Sequence, residues 1–579
     1  MSCEIWRLNL RTRTLQREPV PSAWQRLGGR GLIARIVLDE VPSAADPLGP
    51  FNKLILAPGL LGGHLLSSCD RVSVGGKGPL TGTVKEANAG GRTGLALARL
   101  GIRALILEDQ AGEGWWVLHV SAGGVRLDPA GDLAGLGVYA AAERLRERYG
   151  KNVAAAIIGP AGERRMRAAA VLHLDADGIP GRASARGGVG ALMGSRGLKA
   201  IVIDAGGRPA PPVATPQALR ELRARYVLAL QAHPQTQTYH DYGTAAMVAM
   251  CNAYGGLPTR GFSQGRFEGA DAIGGEALRD LILERGGAGN PSHACMPGCI
   301  IRCSNVVPDR QGRPLVSPLE YETIALMGSN LGLDDLDTIA HLNWHANDIG
   351  VDTIEVGAAL GVAARGGIWS FGDGGAALRL MDEIRRGTPL GRILGNGAAF
   401  TGQAFGVLQI PAVKGQAIAA YDPRAIKGTG VTYATSPQGA DHTAGLTIRA
   451  KIDPLKPEGQ AAVSRRAQVA MAGYDTLGVC IFAGFGISTD PGVVPALLNA
   501  IYGWDVGDDI LTRLGEETIR LERAYNRRVG FGPADDRIPE WMTREPLPPH
   551  NTVFDVPASD LDDLFADLEE KQGDAGEGG

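Results

Sequence analysis

His293-Ala294-Cys295-Met296-Pro297-Gly298-Cys299-Ile300-Ile301-Arg302-Cys303 places three of the chain's seven cysteines within nine residues. Thiols at this spacing would share one face of a helix, but Pro297-Gly298 favours a loop, and a loop wrapped around a metal is what thiolate ligation asks of a chain. The triplet has three readings, an iron–sulfur cluster, zinc or no metal. The cluster is favoured, because the usual zinc pattern is two separated pairs. A candidate fourth ligand, Cys480, ends the stretch Asp475-Thr476-Leu477-Gly478-Val479-Cys480. Taken alone, a cysteine beside Ile481-Phe482-Ala483 is more often a small buried apolar residue, and Cys3, Cys69 and Cys251 are read that way.

The 579 residues around this stretch suffice for roughly three or four domain-sized units. A composition of 44% hydrophobic and 21% charged residues belongs to a globular chain. With a net charge of −4 and no long Lys/Arg block, nucleic acid is not an expected partner. Met1 to Leu10 lacks the basic-then-apolar pattern of a secretory signal, and no apolar run approaches the roughly 20 residues of a membrane span. A cytoplasmic protein without membrane insertion is therefore expected, its thiols reduced rather than paired. Glycine is the outlier at 83 residues; without a Gly-x-y period this signals many tight turns and close backbone approaches.

Up to about Gly206, β-rich runs such as Lys53-Leu54-Ile55-Leu56-Ala57, Arg103-Ala104-Leu105-Ile106-Leu107 and Lys199-Ala200-Ile201-Val202-Ile203 alternate with glycine loops and short helical stretches, giving an α/β or α+β domain. A Gly/Pro break at Gly206 to Pro212 follows. Helical spacing then dominates, behind the start signal Thr215-Pro216 and through Leu336 to Asn347, Ala376 to Arg386 and Gly492 to Ile501. The acidic end, 559–579, reads as a mobile tail.

Several motifs occur in one order: Asp46-Pro47-Leu48-Gly49-Pro50, Gly78-Pro79-Leu80-Thr81-Gly82, Ala87-Asn88-Ala89-Gly90-Gly91, Gly187-Gly188-Val189-Gly190-Ala191-Leu192-Met193-Gly194-Ser195 and Leu319-Glu320-Tyr321-Glu322-Thr323. With them the chain resembles the tungsten-dependent aldehyde:ferredoxin oxidoreductase family over nearly its whole length, from Gly28-Gly29-Arg30-Gly31-Leu32 to beyond Cys480. The resemblance implies an α+β fold. A β-rich cofactor-binding base, 1–206, is followed by two mainly helical domains, 207–405 with the cysteine triplet and 406–558 with Cys480.

It further implies a tungsten or molybdenum ion held by two molybdopterins beside one [4Fe-4S] cluster ligated by Cys295, Cys299, Cys303 and Cys480. Arg71, Asn88, Gly90, Arg186, Gly187, Gly188 and Gly190 match positions that contact the family's cofactor. Two family motifs of the form Asp-x-x-Gly-Leu, followed by Asp or Cys, grip the pterins. One is Asp475 to Cys480, with Val479 in place of Leu; the other is Asn347-Asp348-Ile349-Gly350-Val351-Asp352, in which Asn replaces the leading Asp. An amide there still donates and accepts, but more weakly than a carboxylate toward paired N–H groups. The cysteine motif also departs, with three residues rather than two between its first pair, which bears on the loop more than on the cluster.

For proton handling the resemblance points to Glu320 or Glu322 and to His442. A carboxylate can take a proton from water attacking an aldehyde, and a histidine can stabilise the charge developing on the carbonyl oxygen. The activity implied is oxidation of an aldehyde to a carboxylic acid, with electrons leaving through the cluster to ferredoxin or a multi-cluster iron–sulfur subunit. Assembly into a homo-oligomer is left open. Two alternatives stand beside it: the catalytic subunit of a tungsten benzoyl-CoA reductase-type enzyme, and a non-catalytic iron–sulfur electron-transfer protein.

Overall fold

Runs such as Leu54 to Ala57 and Ala104 to Leu107 are apolar at every position, which suits strands covered on both faces. The computed structural model, which describes residues 3–570, shows that cover. Twelve strands form two sheets. The first comprises β1 (Glu4–Asn9), β2 (Thr14–Pro19), β3 (Leu54–Pro58), β4 (Val72–Lys77), β5 (Val84–Ala89) and β6 (Ile102–Glu108). The second comprises β7 (Trp116–Ser121), β8 (Gly124–Pro129), β9 (Ala154–Ile157), β10 (Val171–Leu174), β11 (Pro180–Ser184) and β12 (Leu198–Asp204). Their orders are β2-β1-β6-β3-β4-β5 and β8-β7-β12-β9-β10-β11, so the second sheet repeats the first with every strand number raised by six. Each has one parallel pair, β1 with β6 and β7 with β12, and is otherwise antiparallel. The class is α+β.

The sheets share a core in which Leu56 and Leu105 of one meet Leu118, Ala156 and Ile201 of the other, with Leu97 and Leu192 from the helices Thr93–Arg99 and Val189–Ser195. The opposite face of the first sheet is covered by the helices Gly29–Glu40 and Ile510–Arg528, through Ile33, Val37, Leu521 and Tyr525. The opposite face of the second is covered by Val138–Tyr149, through Ala141 and Leu145. A C-terminal helix is thus part of the N-terminal domain's packing, which sequence distance hides.

Beyond the Gly/Pro break the chain is mainly helical, including Pro216–Ala232, Leu336–Ile349, Gly374–Arg386 and Val493–Tyr502, close to the expected spans. The two helical spans on either side of residue 405 share one apolar core, with Ile324, Leu360 and Leu394 from one and Tyr433, Val469 and Leu498 from the other. Among the described residues no single helix is long and apolar enough to cross a membrane.

The expectation of a mobile tail from 559 needs correction as far as residue 570. The helices Ala558–Asp562 and Ala566–Glu570 and the turn between them bury Leu561, Leu564, Phe565 and Leu568. Those positions fall at i, i+3, i+4 and i+7, an apolar stripe that the acidic composition conceals. Residues 571–579, the rest of that tail, lie outside the described residues.

Candidate active site

The cysteine triplet lies in the connection of a short antiparallel hairpin, Asn290–His293 with Ser304–Pro308, in which His293 faces Ser304. Its base is fixed by His293, whose Nε2 is 2.9 Å from the buried Asp175 carboxylate. Gly298 sits at φ +76°, so Pro297-Gly298 does make the expected turn. Cys480 comes from the opposite direction, just past the left-handed Gly478 that ends the helix Gln460–Leu477. The two halves meet at Ser68: the Cys480 N–H donates to the Ser68 carbonyl at 2.8 Å, and Ser68 Oγ stands 3.4 Å from Cys299 Sγ. Burial and the neighbouring thiols push Cys303 and Cys480 upward. A hydrogen bond from Cys295 holds Cys299 down to about 6, helped by Ser68 and the N–H groups of Arg302 and Ile301. All four thiols are free. Among the described residues no three His, Cys, Asp or Glu side chains close on a single-ion site. A cluster, with one thiol to each iron, asks only that the thiols surround a common volume.

Beside the thiols opens a cavity of about 1770 Å³, counting its mouth. Arg71, Asn88, Gly90, Asp352, Arg186, Asp475, Cys295, Cys303, Cys480, Glu320, Glu322 and His442 all line it. Arg71 donates to Asn88, Asn88 Nδ2 donates to Asp475 Oδ1 at 3.0 Å, and Arg30 joins Asp475 (3.2 Å) to Glu522 (2.7 Å). On the other side Arg186 is 3.3 Å from Asp352 and donates to the carbonyls of Ala440 and Ala417 at 2.6 and 2.5 Å. Asn347 also lines the cavity, its amide donating to Tyr139 Oη at 3.2 Å.

Other expected contacts are not on the cavity wall. A Cβ on Gly187 would lie 2.2 Å from Lys85 Cγ, on Gly188 2.7 Å from the Arg167 carbonyl, and on Gly190 2.4 Å from the Ala170 carbonyl. These glycines let protein pack on protein, and the Gly190 N–H is already bound to Ala169 at 3.0 Å. Val479 is turned into the apolar core and Cys299 faces Ser68 instead of the cavity. Of the four expected glycines only Gly90 lines the cavity, and there too the close neighbour is protein, a Cβ standing 3.2 Å from Cys295 Sγ.

The structure separates the two candidate carboxylates. Glu322 has Oε1 3.4 Å from His442 Nε2, and its Oε2 accepts the Ala420 N–H at 2.9 Å. Glu320, at the N-terminus of the helix Tyr321–Met327, turns instead to Thr244, with Arg182 at 3.8 Å. Burial raises both carboxyls above their ordinary range. His442 Nδ1 and Glu322 Oε1 are buried without hydrogen-bond partners, so this pair retains capacity for a further ligand.

With this geometry in place, comparison with known proteins gives a consistent result. The family model "Aldehyde ferredoxin oxidoreductase, N-terminal domain" matches residues 5–205, and "Aldehyde ferredoxin oxidoreductase, domains 2 & 3" matches 221–567. The chain belongs to the aldehyde ferredoxin oxidoreductase family. It is 32% identical to a tungsten-containing aldehyde ferredoxin oxidoreductase of Pyrococcus horikoshii, over 94% of this chain and 92% of that protein. It is 25% identical to an aliphatic sulfonate oxidoreductase, WOR-like subunit, of Pyrococcus furiosus, over 90% and 85%. The fold is also that of the solved active site complex BamBC of benzoyl coenzyme A reductase with 1,5-dienoyl-CoA. There the TM-score is 0.79 at 19% identity, covering 98% of this chain and 94% of that one.

Within this member of the family, sequence reading missed several cavity residues. Glu86 and Arg30 line the wall, and the Glu86 carboxyl, pushed up to about 8 by burial and by Asp475, has Oε1 without a partner. The signal was present: Glu86 and Asn88 alternate along β5 and so share a face, with Gly90 just beyond the strand's end. Lys85, Gln438 and Asp441 form a buried chain, Lys85 Nζ reaching Gln438 at 3.2 Å and Asp441 at 3.1 Å, that no local pattern announces.

Proposed function

We propose that this protein is an aldehyde-oxidising tungsten- or molybdenum-pterin enzyme. Its electrons would leave through one [4Fe-4S] cluster to ferredoxin or an iron–sulfur subunit. The observation that carries this reading is one cavity bounded on one side by the thiols of Cys295, Cys303 and Cys480, with Cys299 hydrogen-bonded to Cys295 behind them, and on another by the Glu322–His442 pair. The residues suit the groups. Four thiols are the donor set of a cubane cluster. The unpartnered Glu86 oxygen and the Asp475 and Asn347 side chains offer acceptors to pterin N–H groups. Arg71 and Arg186, with Asn88, offer charge and donors to a dithiolene or phosphate.

When bound, such a centre supplies two-electron acceptance at the substrate's carbonyl carbon, and the cluster passes the electrons on singly. The chain's own part is proton handling and exclusion of water. Glu322, its carboxyl raised by burial, is placed to take a proton from water or from the hydrated aldehyde. With Nε2 toward Glu322, the unpartnered Nδ1 of His442 is the ring nitrogen left to meet the substrate oxygen. Tyr239, Tyr421, Leu446 and Phe482 form apolar parts of the wall and limit water around these groups.

Metal and pterin analysis of anaerobically purified protein tests the proposal: tungsten or molybdenum together with pterin and iron supports it, and zinc without pterin overturns it. Assays of aldehyde oxidation with a viologen dye, set against reduction of benzoyl-CoA, decide between the main reading and the ring-reducing alternative. The Glu322–His442 pair weighs against a purely electron-carrying protein, which has no use for it.

A further inference from the structure

We propose that Ser68 is the residue that closes the split thiol set and, through its hydroxyl, raises the reduction potential of the cluster. This rests on the cluster reading above. Ser68 is buried at 1% exposure and held at φ +62°, a left-handed conformation that disfavours a non-glycine residue. Three contacts hold it there. Its carbonyl accepts the Cys480 N–H at 2.8 Å, its Oγ stands 3.4 Å from Cys299 Sγ, and the Oγ of its neighbour Ser67, 3.4 Å away, accepts the Ile300 N–H at 3.1 Å. One dipeptide thus grips both the triplet loop and the distant fourth cysteine.

A sulfur bonded to iron carries no hydrogen, so in the loaded protein the Ser68 hydroxyl can only donate toward Cys299. Donation to a ligand sulfur stabilises the reduced, more negative cluster and raises its potential. The molecule supplies its own control. At the second half of the N-terminal repeat the corresponding N–H, that of Asp352 in the helical region, donates to the Ala168 carbonyl at 2.9 Å. The backbone clasp is kept there, where no thiol stands, and the hydroxyl is absent.

The experiment is a redox titration of the cluster's electron paramagnetic resonance signal in anaerobically purified Ser68→Ala and Ser68→Gly proteins, with iron and sulfide content and thermal midpoint measured alongside. The expected result is an unchanged iron content and a similar lowering of midpoint potential in both variants, because both lose the hydroxyl and keep the carbonyl. Ser68→Gly should be at least as heat-stable as Ser68→Ala, since glycine accepts the positive φ. A potential equal to the parent's in either variant overturns the tuning role, and loss of iron from Ser68→Gly overturns the account of the carbonyl clasp. Absence of iron in the parent protein would instead sink the cluster reading itself, so the two failures are distinguishable.

Discussion

The turn at Asp475 to Cys480 and the turn at Asn347 to Asp352 are built alike and chemically unlike. Each ends a helix in a left-handed glycine, Gly478 at φ +78° and Gly350 at φ +75°. Each crosses a glycine of the N-terminal domain so closely that a side chain is excluded. A Cβ on Gly59 would lie 2.0 Å from Gly478 N, and one on Gly159 2.2 Å from the Ile349 carbonyl. The same clasp follows: Arg71 N–H to the Gly478 carbonyl at 3.1 Å and Cys480 N–H to Ser68, against Ala170 N–H to the Gly350 carbonyl at 2.9 Å and Asp352 N–H to Ala168. What differs is the delivered side chain, a thiol facing three others in one case and a carboxylate facing Arg186 in the other. A repeated backbone device fixes position, and a single residue at its end sets the chemistry.

The sharpest way to break this comparison is to exchange those end residues. Cys480→Ala should abolish the cluster's paramagnetic signal and reduce dye-linked aldehyde oxidation to background, whereas Asp352→Ala should leave the signal in place; a signal surviving in Cys480→Ala would refute the split site. Next in size is the acid beside the Asp352 half. Glu322→Gln should lower kcat by about 10²- to 10⁴-fold, while Glu320→Gln, lacking the histidine partner, should cost about tenfold or less in steady-state kinetics. Equal losses would remove the distinction drawn between them.

Removing Arg186 unpairs Asp352 and leaves Glu355, 3.7 Å away and fully buried, with only the N–H groups of Ala398 and Ala417 as partners. Arg186→Ala should therefore destabilise the protein by about 3–5 kcal/mol in denaturant titrations. The last effect concerns Glu86, whose carboxyl is raised in the fold, so that ionising it opposes folding. The cofactor-free protein should lose stability as pH climbs from the ordinary carboxylate range through about 8, levelling off above, and Glu86→Gln should flatten that slope in thermal midpoints.

Much of the site was legible. The triplet, Cys480, Arg71, Asn88, Arg186, Asp352 and Asp475 all reach one cavity or its edge, because motifs of this kind keep short spacings whatever the loops between them do. The glycines misled in a physical way. A missing Cβ records a close approach without saying to what, and at Gly187, Gly188 and Gly190 the approaching partner is protein. Glu320 and Glu322 could not be separated in sequence, since two residues on one strand-to-helix junction diverge only once Thr244 and His442 arrive from elsewhere.

By itself the sequence determined the local pieces: strands apolar throughout because both faces are covered, helices opened by Pro and closed by Gly, and a cysteine loop turned by Pro297-Gly298. Only the tertiary structure decided what those pieces share. It placed the second sheet as a repeat of the first and brought Arg30 onto Glu522 across the length of the chain. It also made Ser68, unremarked in its own stretch, the meeting point of Cys299 and Cys480. Hydrophobic periodicity and turn chemistry act over a few residues and are written locally, whereas convergence depends on which faces pack, and that is settled by the whole core at once.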